Sequence, residues 1–125
     1  MRRRILSVMQ GLGELESAVM DVLWRADQAL TVREVLSRLN RELAYTTVMT
    51  VLDNLHRKGW VQRDMVNRAY QYLPSTTREE SAAAALRDLL NSTENPEGVL
   101  LRFTESASEG EISLLRRALR RRRSR

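Results

Sequence analysis

The chain has 125 residues, of which 42% are hydrophobic, enough for one domain with its own core, or for one domain and a small appendage. It contains no cysteine and one histidine, which excludes disulfide frameworks, thiolate metal sites and cages of several histidines. No hydrophobic run approaches the roughly 20 residues of a bilayer span, and the short stretch behind the first arginines does not make a signal peptide. We therefore expect a soluble, cytoplasmic protein without a metal or cofactor.

The formal net charge of +5 is distributed unevenly. Arginines at positions 2–4 and seven more from Arg116 onward make up 10 of the 21 basic residues. Residues 31–72 have a local charge of +3, whereas residues 73–115 have a local charge of −5. Basic charge alone is weak evidence for a nucleic-acid partner. The terminal arginines are interpreted as a solvated helix end that could add non-specific attraction to phosphate.

Hydrophobic residues recur with the spacing of one helix face in three consecutive segments. A capping box of Thr31 and Glu34 precedes the second segment, and Gly59 follows the third as its C′ residue. Residues 27–30 leave room for a turn and a brief strand. Three short helices around one core, with a tight turn between the last two, predict a helix-turn-helix. The hydrophobic faces consist of Leu15, Val19, Val22, Leu23 and Ala26, then Val32, Val35, Leu36 and Leu39, then Val48, Val51, Leu52 and Leu55.

Two short strands, residues 60–63 and 69–72, are predicted next, on either side of a polar connection over residues 64–68. Asn67 tolerates the left-handed conformation that a turn requires. Three helices followed directly by a β-hairpin give the order of a winged helix, here over residues 12–74. Residues 1–11 form a predicted N-terminal extension. The predicted fold is thus mainly α with a small β-hairpin wing.

Three further helices are predicted over residues 75–121, ahead of a basic tail at residues 122–125. Capping pairs Thr76 with Glu79 and Ser108 with Glu111 begin the first and last, and Asn95-Pro96 begins the middle one. Their hydrophobic faces lie outside the winged-helix core, so a second copy of the chain is expected to cover them. This predicted dimer surface consists of Leu86, Leu89, Leu90, Leu100, Leu101, Phe103, Ile112, Leu115 and Leu119.

The third helix carries polar residues opposite its hydrophobic face. A first turn of hydroxyl groups suits phosphate oxygens, and threonine or asparagine farther along can reach base edges in a major groove. A capped helix with solvated threonines explains this stretch equally well, but its place before a hairpin favours a recognition helix. With the hairpin arginines, the predicted DNA-binding residues are Tyr45, Thr46, Thr47, Thr50, Asn54, Arg57, Lys58, Arg63 and Arg68.

Other polar residues in this region have simpler interpretations. Tyr70 and Tyr72, at alternate positions of a strand, are expected to pack rather than to stack on bases. Asp53 would repel phosphate unless it pairs with Arg57 four residues on. His56 is interpreted as a solvated residue that offsets the helix dipole, because no nucleophile or acidic pair stands at a recognisable spacing from it. Nothing in the sequence specifies an enzyme.

Three stretches of the sequence resemble the penicillinase-repressor family, the BlaI/MecI-type winged-helix transcriptional repressors. Leu12-Gly-Glu-Leu-Glu16, with Leu23-Trp24, is similar to the family's first helix. The segment Ala44-Tyr-Thr-Thr-Val-Met-Thr-Val-Leu52, followed by Lys58-Gly59, is similar to its recognition helix. The end of its wing is similar to Arg68-Ala-Tyr-Gln-Tyr72.

The resemblance implies a homodimer that binds palindromic operators in double-stranded DNA and represses genes of β-lactam resistance or related stress responses. It also implies a membrane-bound sensor whose protease domain cleaves the repressor near an Asn-Phe bond. Arg102 and Phe103 occupy that place here, so Arg102 replaces the asparagine. The absence of cysteine argues against the family's copper-responsive branch. Because Arg102 replaces the asparagine of the cleavage site, release of the repressor by a directly bound ligand or by contact with a partner stays open.

Two alternative functions remain open from the sequence. A winged-helix module that binds another protein would expose hydrophobic side chains on the third helix, whereas Thr46, Thr50 and Arg57 are polar. A non-specific architectural protein would use its arginine-rich ends and bind any duplex equally.

Overall fold

The computed structural model describes residues 12–123. The predicted N-terminal extension and the last two residues of the predicted basic tail lie outside this range. Within it the chain forms six helices and one antiparallel sheet with strand order β1-β3-β2. The elements are α1 (Glu14–Arg25), β1 (Leu30–Thr31), α2 (Val32–Leu39), α3 (Tyr45–Arg57), β2 (Val61–Val66), β3 (Ala69–Pro74), α4 (Arg78–Ser92), α5 (Pro96–Ser106) and α6 (Glu109–Arg123).

The first three helices pack around one hydrophobic core, as their periodicity predicts. The predicted capping box is present, since Thr31 Oγ1 accepts from the Glu34 amide at 3.2 Å and Glu34 Oε1 accepts from the Thr31 amide at 2.9 Å. Gly59, at a φ of 85°, ends α3 in the left-handed conformation that glycine adopts without strain. The buried core consists of Leu12, Val19, Met20, Leu23, Leu30, Val32, Val35, Val48, Leu52, Leu55, Val61 and Tyr72.

The wing is longer than the sequence predicts. Residues 64–66, expected in the connection, continue β2, and β3 extends to Pro74. The turn consists only of Asn67 and Arg68, because Val66 pairs with Ala69 across the hairpin. Both turn residues have positive φ, 51° and 68°, as a two-residue type I′ turn requires.

The start of α4 is shifted by one residue from the prediction. The capping box is formed by Thr77 and Glu80, with amide-to-side-chain distances of 2.8 and 3.0 Å, and not by Thr76 and Glu79. Either register has threonine three residues before glutamate, so local pattern does not separate them. Tertiary contacts do, because Thr76 Oγ1 lies 3.0 Å from Ser81 Oγ and the Thr76 carbonyl accepts from Trp24 Nε1 at 3.0 Å.

The chain divides into two compact units, with the division between Asp88 and Leu89 inside α4. The first unit extends past Pro74, the predicted end of the winged helix, and Ser81 and Ala85 of α4 are buried in it. In the second unit, neither α5 nor α6 contains a buried residue over its described length. Helix α6 continues through Arg123, so the first two residues of the predicted tail are helical. None of the described helices is long and apolar enough to cross a membrane.

Candidate nucleic-acid interface

Helix α3 is anchored on one side and polar on the other. Val48, Leu52 and Leu55 are completely buried, while Thr46 and Thr50 are exposed on the opposite side. Ala44 occupies the N-cap and supplies no side-chain hydrogen bond, so the Tyr-Thr-Thr stretch does not act as a cap. These residues instead lie within the exposed first turn, at the positive end of the helix dipole.

Two hydrophobic side chains flank the polar strip of α3. Tyr45 is 44% exposed and Met49 is 42% exposed. The guanidinium carbon of Arg33, in the first turn of α2, lies 5.8 Å from the centre of the Tyr45 ring, within the range of a cation–π contact. Arg33 is not among the residues that the sequence predicts for this surface, since only the packing of α2 beside the start of α3 brings it there.

Asp53 joins the polar strip to the wing. Its Oδ1 lies 3.0 Å from Arg63 Nη1, and its Oδ2 lies 3.9 Å from Arg57 Nε. The pairing with Arg57 that the sequence requires of Asp53 is therefore present, and Arg57 also donates to Asn54 Oδ1. The carboxylate has an arginine on each side, which reduces its repulsion of phosphate.

Arg63 lies on the face of the wing that points toward α3, where its side chain is 23% exposed. Its guanidinium carbon is 4.2 Å from the centre of the Tyr70 ring. Burial lowers the pKa of Arg63, but interactions with Tyr72, Asp53 and Tyr70 raise it to a net value above the ordinary one, so the side chain stays charged. Arg63 thus connects the wing to α3.

The two tyrosines of β3 differ in burial. Tyr72 belongs to the core, as predicted, whereas Tyr70 is partly exposed near the end of the wing. Their ring centres are 6.2 Å apart in an edge-to-face arrangement. Tyr70 therefore packs against Tyr72 and Arg63 on one side and faces solvent on the other.

Lys58 and Arg68 lie in different surroundings. Lys58 Nζ lies 2.9 and 3.0 Å from the two carboxylate oxygens of Glu16, which connects the end of α3 to the start of α1. Arg68 is exposed in the wing turn, and no described residue forms an ion pair with it. Of the nine predicted residues, Tyr45, Thr46, Thr47, Thr50, Asn54 and Arg57 belong to α3, Lys58 follows it, and Arg63 and Arg68 belong to the wing.

The residues predicted to form a dimer surface are exposed or half-buried on α4, α5 and α6. Leu90 and Ile112 are half-buried, and the other seven are exposed. Val99 and Leu114 are exposed as well and were missed, because they lie beside the strict helical spacing. Arg102 and Phe103 are exposed inside α5, and Arg102 Nη1 lies 3.6 Å from Glu105 Oε1. The peptide bond between them is therefore helical.

The described residues contain no group of histidine, aspartate or glutamate side chains arranged to hold a metal ion. The elements up to Pro74 instead form a helix-turn-helix with a β-hairpin wing beside its third helix. That arrangement is found in winged-helix transcriptional regulators.

Comparison with solved structures confirms this fold. The chain is similar to MepR of S. aureus in a complex with DNA, with a TM-score of 0.55 and 20% identity over 82% of this chain and 86% of that one. It is also similar to a MarR family protein from Bacillus stearothermophilus, with a TM-score of 0.51 and 21% identity over 98% of this chain and 81% of that one.

Sequence comparison is more specific. The Penicillinase repressor family matches residues 12–121. The chain is also 42% identical over 113 residues to the transcriptional regulator BlaI of Mycobacterium tuberculosis (strain CDC 1551 / Oshkosh), a match that covers 86% of this chain and 82% of the relative. The chain therefore belongs to the penicillinase repressor family, which confirms the resemblance found in the sequence. This is a family of DNA-binding transcriptional repressors, not of enzymes.

Proposed function

We propose that the protein acts in the cytoplasm as a homodimeric repressor, in which each protomer places α3 in the major groove over one half of a dyad-symmetric operator. The observation that carries this proposal is the polar side of α3, where Thr46 and Thr50 are exposed and Asn54 is half-buried, while the opposite side of the helix is buried in the core. A helix held this firmly presents its side chains to a groove with little loss of entropy on binding.

Thr46, Thr50 and Asn54 are the proposed base-reading residues. Thr46 and Thr50 are four residues apart, which corresponds to about 6 Å along the helix, or roughly two base-pair steps. Hydroxyl and amide groups at that separation reach neighbouring base edges. Met49, beside them, offers a methyl group for apolar contact with thymine.

Phosphate contacts are assigned to the first turn of α3, to Arg57 and to Arg68. Arg68 supports this assignment because it has a φ of 68° at a turn position where glycine is strongly preferred. Placing a long basic side chain there costs about 1–2 kcal/mol, a cost that contact with a phosphate offsets. Lys58 and Arg63 contribute indirectly in this proposal, since they lie 2.9 and 3.0 Å from carboxylate oxygens of the protein, whereas Arg57 is 3.9 Å from Asp53 Oδ2 and its side chain is 69% exposed.

The dimer is proposed to form through the exposed hydrophobic side chains of α4, α5 and α6. Burial of a leucine or phenylalanine side chain is worth about 1.5–3 kcal/mol, and helices as short as these are marginal in water without such packing. Two connected protomers bind two half-sites as one unit, which raises affinity by about 100-fold or more over a single half-site.

The proposed targets are genes of β-lactam resistance or related stress responses, and the proposed source of the releasing signal is a membrane-bound sensor with a protease domain. Cleavage between Arg102 and Phe103 would separate α6 from the DNA-binding unit. Since this bond lies within helix α5, cleavage requires local opening of the helix. Release by a bound ligand or by partner contact is the alternative, and an intact chain after induction with a β-lactam would favour it.

A mobility-shift experiment with heparin competitor tests the DNA-binding proposal. The probe is a duplex that the full-length protein selects from a random library. We expect Thr50→Ala to lose about 1–3 kcal/mol per half-site and to relax preference at one base position. Unchanged affinity and preference would remove α3 from base reading, equal binding of any duplex would favour an architectural protein, and no shift would favour a protein-binding module.

A further inference from the structure

The start of α4 is fastened to α1 by three contacts outside the proposed DNA surface. Arg78 Nη1 lies 2.7 Å from Asp21 Oδ1. The guanidinium carbon of the same arginine lies 5.0 Å from the centre of the Trp24 ring. The indole nitrogen of Trp24 donates to the Thr76 carbonyl at 3.0 Å. We call Asp21, Trp24, Thr76 and Arg78 the α1–α4 clamp.

Within the clamp the acidic partner is buried, while the Arg78 side chain remains 39% exposed. The Asp21 side chain is 7% exposed, and Ser81 and Ala85 are buried one and two turns farther along α4. A buried carboxylate requires a close cationic partner, because loss of that partner leaves its charge in a medium of low polarity. The ion pair between Arg41 and Glu14 has a similar length, 2.8 Å, and a similarly exposed arginine (40%), but its carboxylate side chain is 72% exposed.

The clamp lies where the chain passes from the winged helix into α4. The winged helix ends at Pro74, and the proposed dimer surface begins on α4 itself, at Leu86, before it continues on α5 and α6. Helix α4 has 15 residues and is thus about 22 Å long. Residues 78–88 of α4 belong to the first unit and span about 16 Å, so a tilt of about 10° at the start of the helix would displace Asp88 by about 3 Å, close to one base-pair step.

We infer that Arg78, held by Asp21 and Trp24, fixes the direction in which α4 leaves the winged helix and so determines the half-site spacing that the dimer accepts. This inference rests on the proposed homodimer. The clamp residues are positioning residues, since they touch neither DNA nor the partner protomer in this assignment. Insertion of one base pair moves a half-site by about 3.4 Å and rotates it by about 34°, so a stiff connection should reject it.

The inference is tested with a set of duplexes that contain two inverted copies of the selected half-site at the selected spacing and at spacings changed by one or two base pairs. A duplex with a single half-site measures the affinity of one protomer for its half-site, independently of the spacing. The full-length variants are Arg78→Met and Asp21→Asn, with Arg78→Lys as the conservative variant. Arg41→Met is the matched control, because it removes an ion pair to α1 that does not involve α4.

We expect the wild-type protein to lose about tenfold or more in affinity when the spacing changes by one base pair. For the same change of spacing, Arg78→Met and Asp21→Asn should lose less than about threefold in affinity. Their affinity for the duplex with a single half-site should stay within about twofold of the wild-type value. Arg78→Lys should restore part of the spacing preference, and Arg41→Met should match the wild type.

A wild-type spacing profile in both clamp variants would overturn the inference and leave the dimer proposal intact. Equal loss on every duplex, including the single half-site, would also overturn it, because it would show a purely structural role. If Arg78→Met does not fold, Trp24→Phe decides the matter, since it keeps an aromatic ring but removes the donor to Thr76. A wild-type protein without spacing preference would overturn the dimer proposal and the inference together.

Discussion

Asp53 is an acidic residue on a surface proposed to face DNA, so its removal tests the geometry of that surface. The substitution Asp53→Asn deletes one negative charge and releases Arg63 and Arg57 from the carboxylate that lies 3.0 and 3.9 Å away. Two consequences follow, a small loss of stability and a gain in attraction to phosphate.

Both magnitudes follow from the exposure of the pair. At 3.0 Å, an effective dielectric constant of about 20 gives a Coulomb energy of roughly 5–6 kcal/mol. Because the Asp53 side chain is 51% exposed, hydration and side-chain entropy offset most of it, and the net loss of stability should be about 1 kcal/mol or less. Arg57 already contacts phosphate in the proposal, so if the released Arg63 also reaches phosphate, the slope of log K against log salt steepens by about 0.9 per protomer.

The assay is fluorescence anisotropy with a duplex that lacks the operator, measured from about 50 to 200 mM salt. Asp64→Asn is the matched control, since residue 64 is exposed and adjacent strand residues point to opposite faces, so it removes the same charge from the other side of the wing. Asp53→Asn should bind more tightly than the wild type and with a steeper slope. Equal effects of the two variants, or an unchanged slope, would refute the assigned role of Asp53.

Three further predictions concern other parts of the molecule. Burial raises the pKa of Glu16, but hydrogen bonds from Gly13 and Lys58 outweigh burial and lower the pKa to below 4.5. The ionised Glu16 side chain therefore stabilises the fold above about pH 4.5, and this stabilisation is lost as the pH falls further. In urea unfolding, the free energy of unfolding of Glu16→Gln should depend less on pH in this acid range than that of the wild type. Arg68→Gly should raise the free energy of unfolding by about 1 kcal/mol yet weaken binding to all duplexes alike, measured by urea titration and anisotropy. The double variant Leu101→Asp/Leu119→Asp places two charges in the proposed dimer surface and should be monomeric in sedimentation, whereas an unchanged dimer would contradict the proposed interface.

The sequence predicts those parts of the fold that depend on local pattern. The faces of α1, α2 and α3, the capping box before α2 and the left-handed residues at Asn67 and Gly59 all follow from spacing or from intrinsic backbone preference. The membership of the chain in its family follows from the same stretches, because the motifs of the recognition helix and the wing are contiguous.

The sequence does not predict contacts between residues that are distant in the chain. Asp53 meets Arg63 across 10 residues, Lys58 meets Glu16 across 42, and Arg78 meets Asp21 across 57. No periodicity encodes such pairs, since each depends on how two elements pack. The register of the cap at Thr77 was missed for the same reason, because contacts of the neighbouring threonine with Trp24 and Ser81 select it.

These distant pairs change the number of basic residues available for phosphate. By charge alone, Arg33, Arg57, Lys58, Arg63 and Arg68 would give five contacts per half-site, and a dimer would then show a salt slope of about −9. With Lys58 held by Glu16 and Arg63 held by Asp53, three remain, and the expected slope is about −5. Anisotropy titration of the selected operator duplex measures this slope. If the slope is near −9 and becomes less steep in Arg63→Met, Arg63 leaves Asp53 on binding to DNA. If the slope is near −9 and neither Arg63→Met nor Lys58→Met changes it, the additional contacts belong to the arginines of α6.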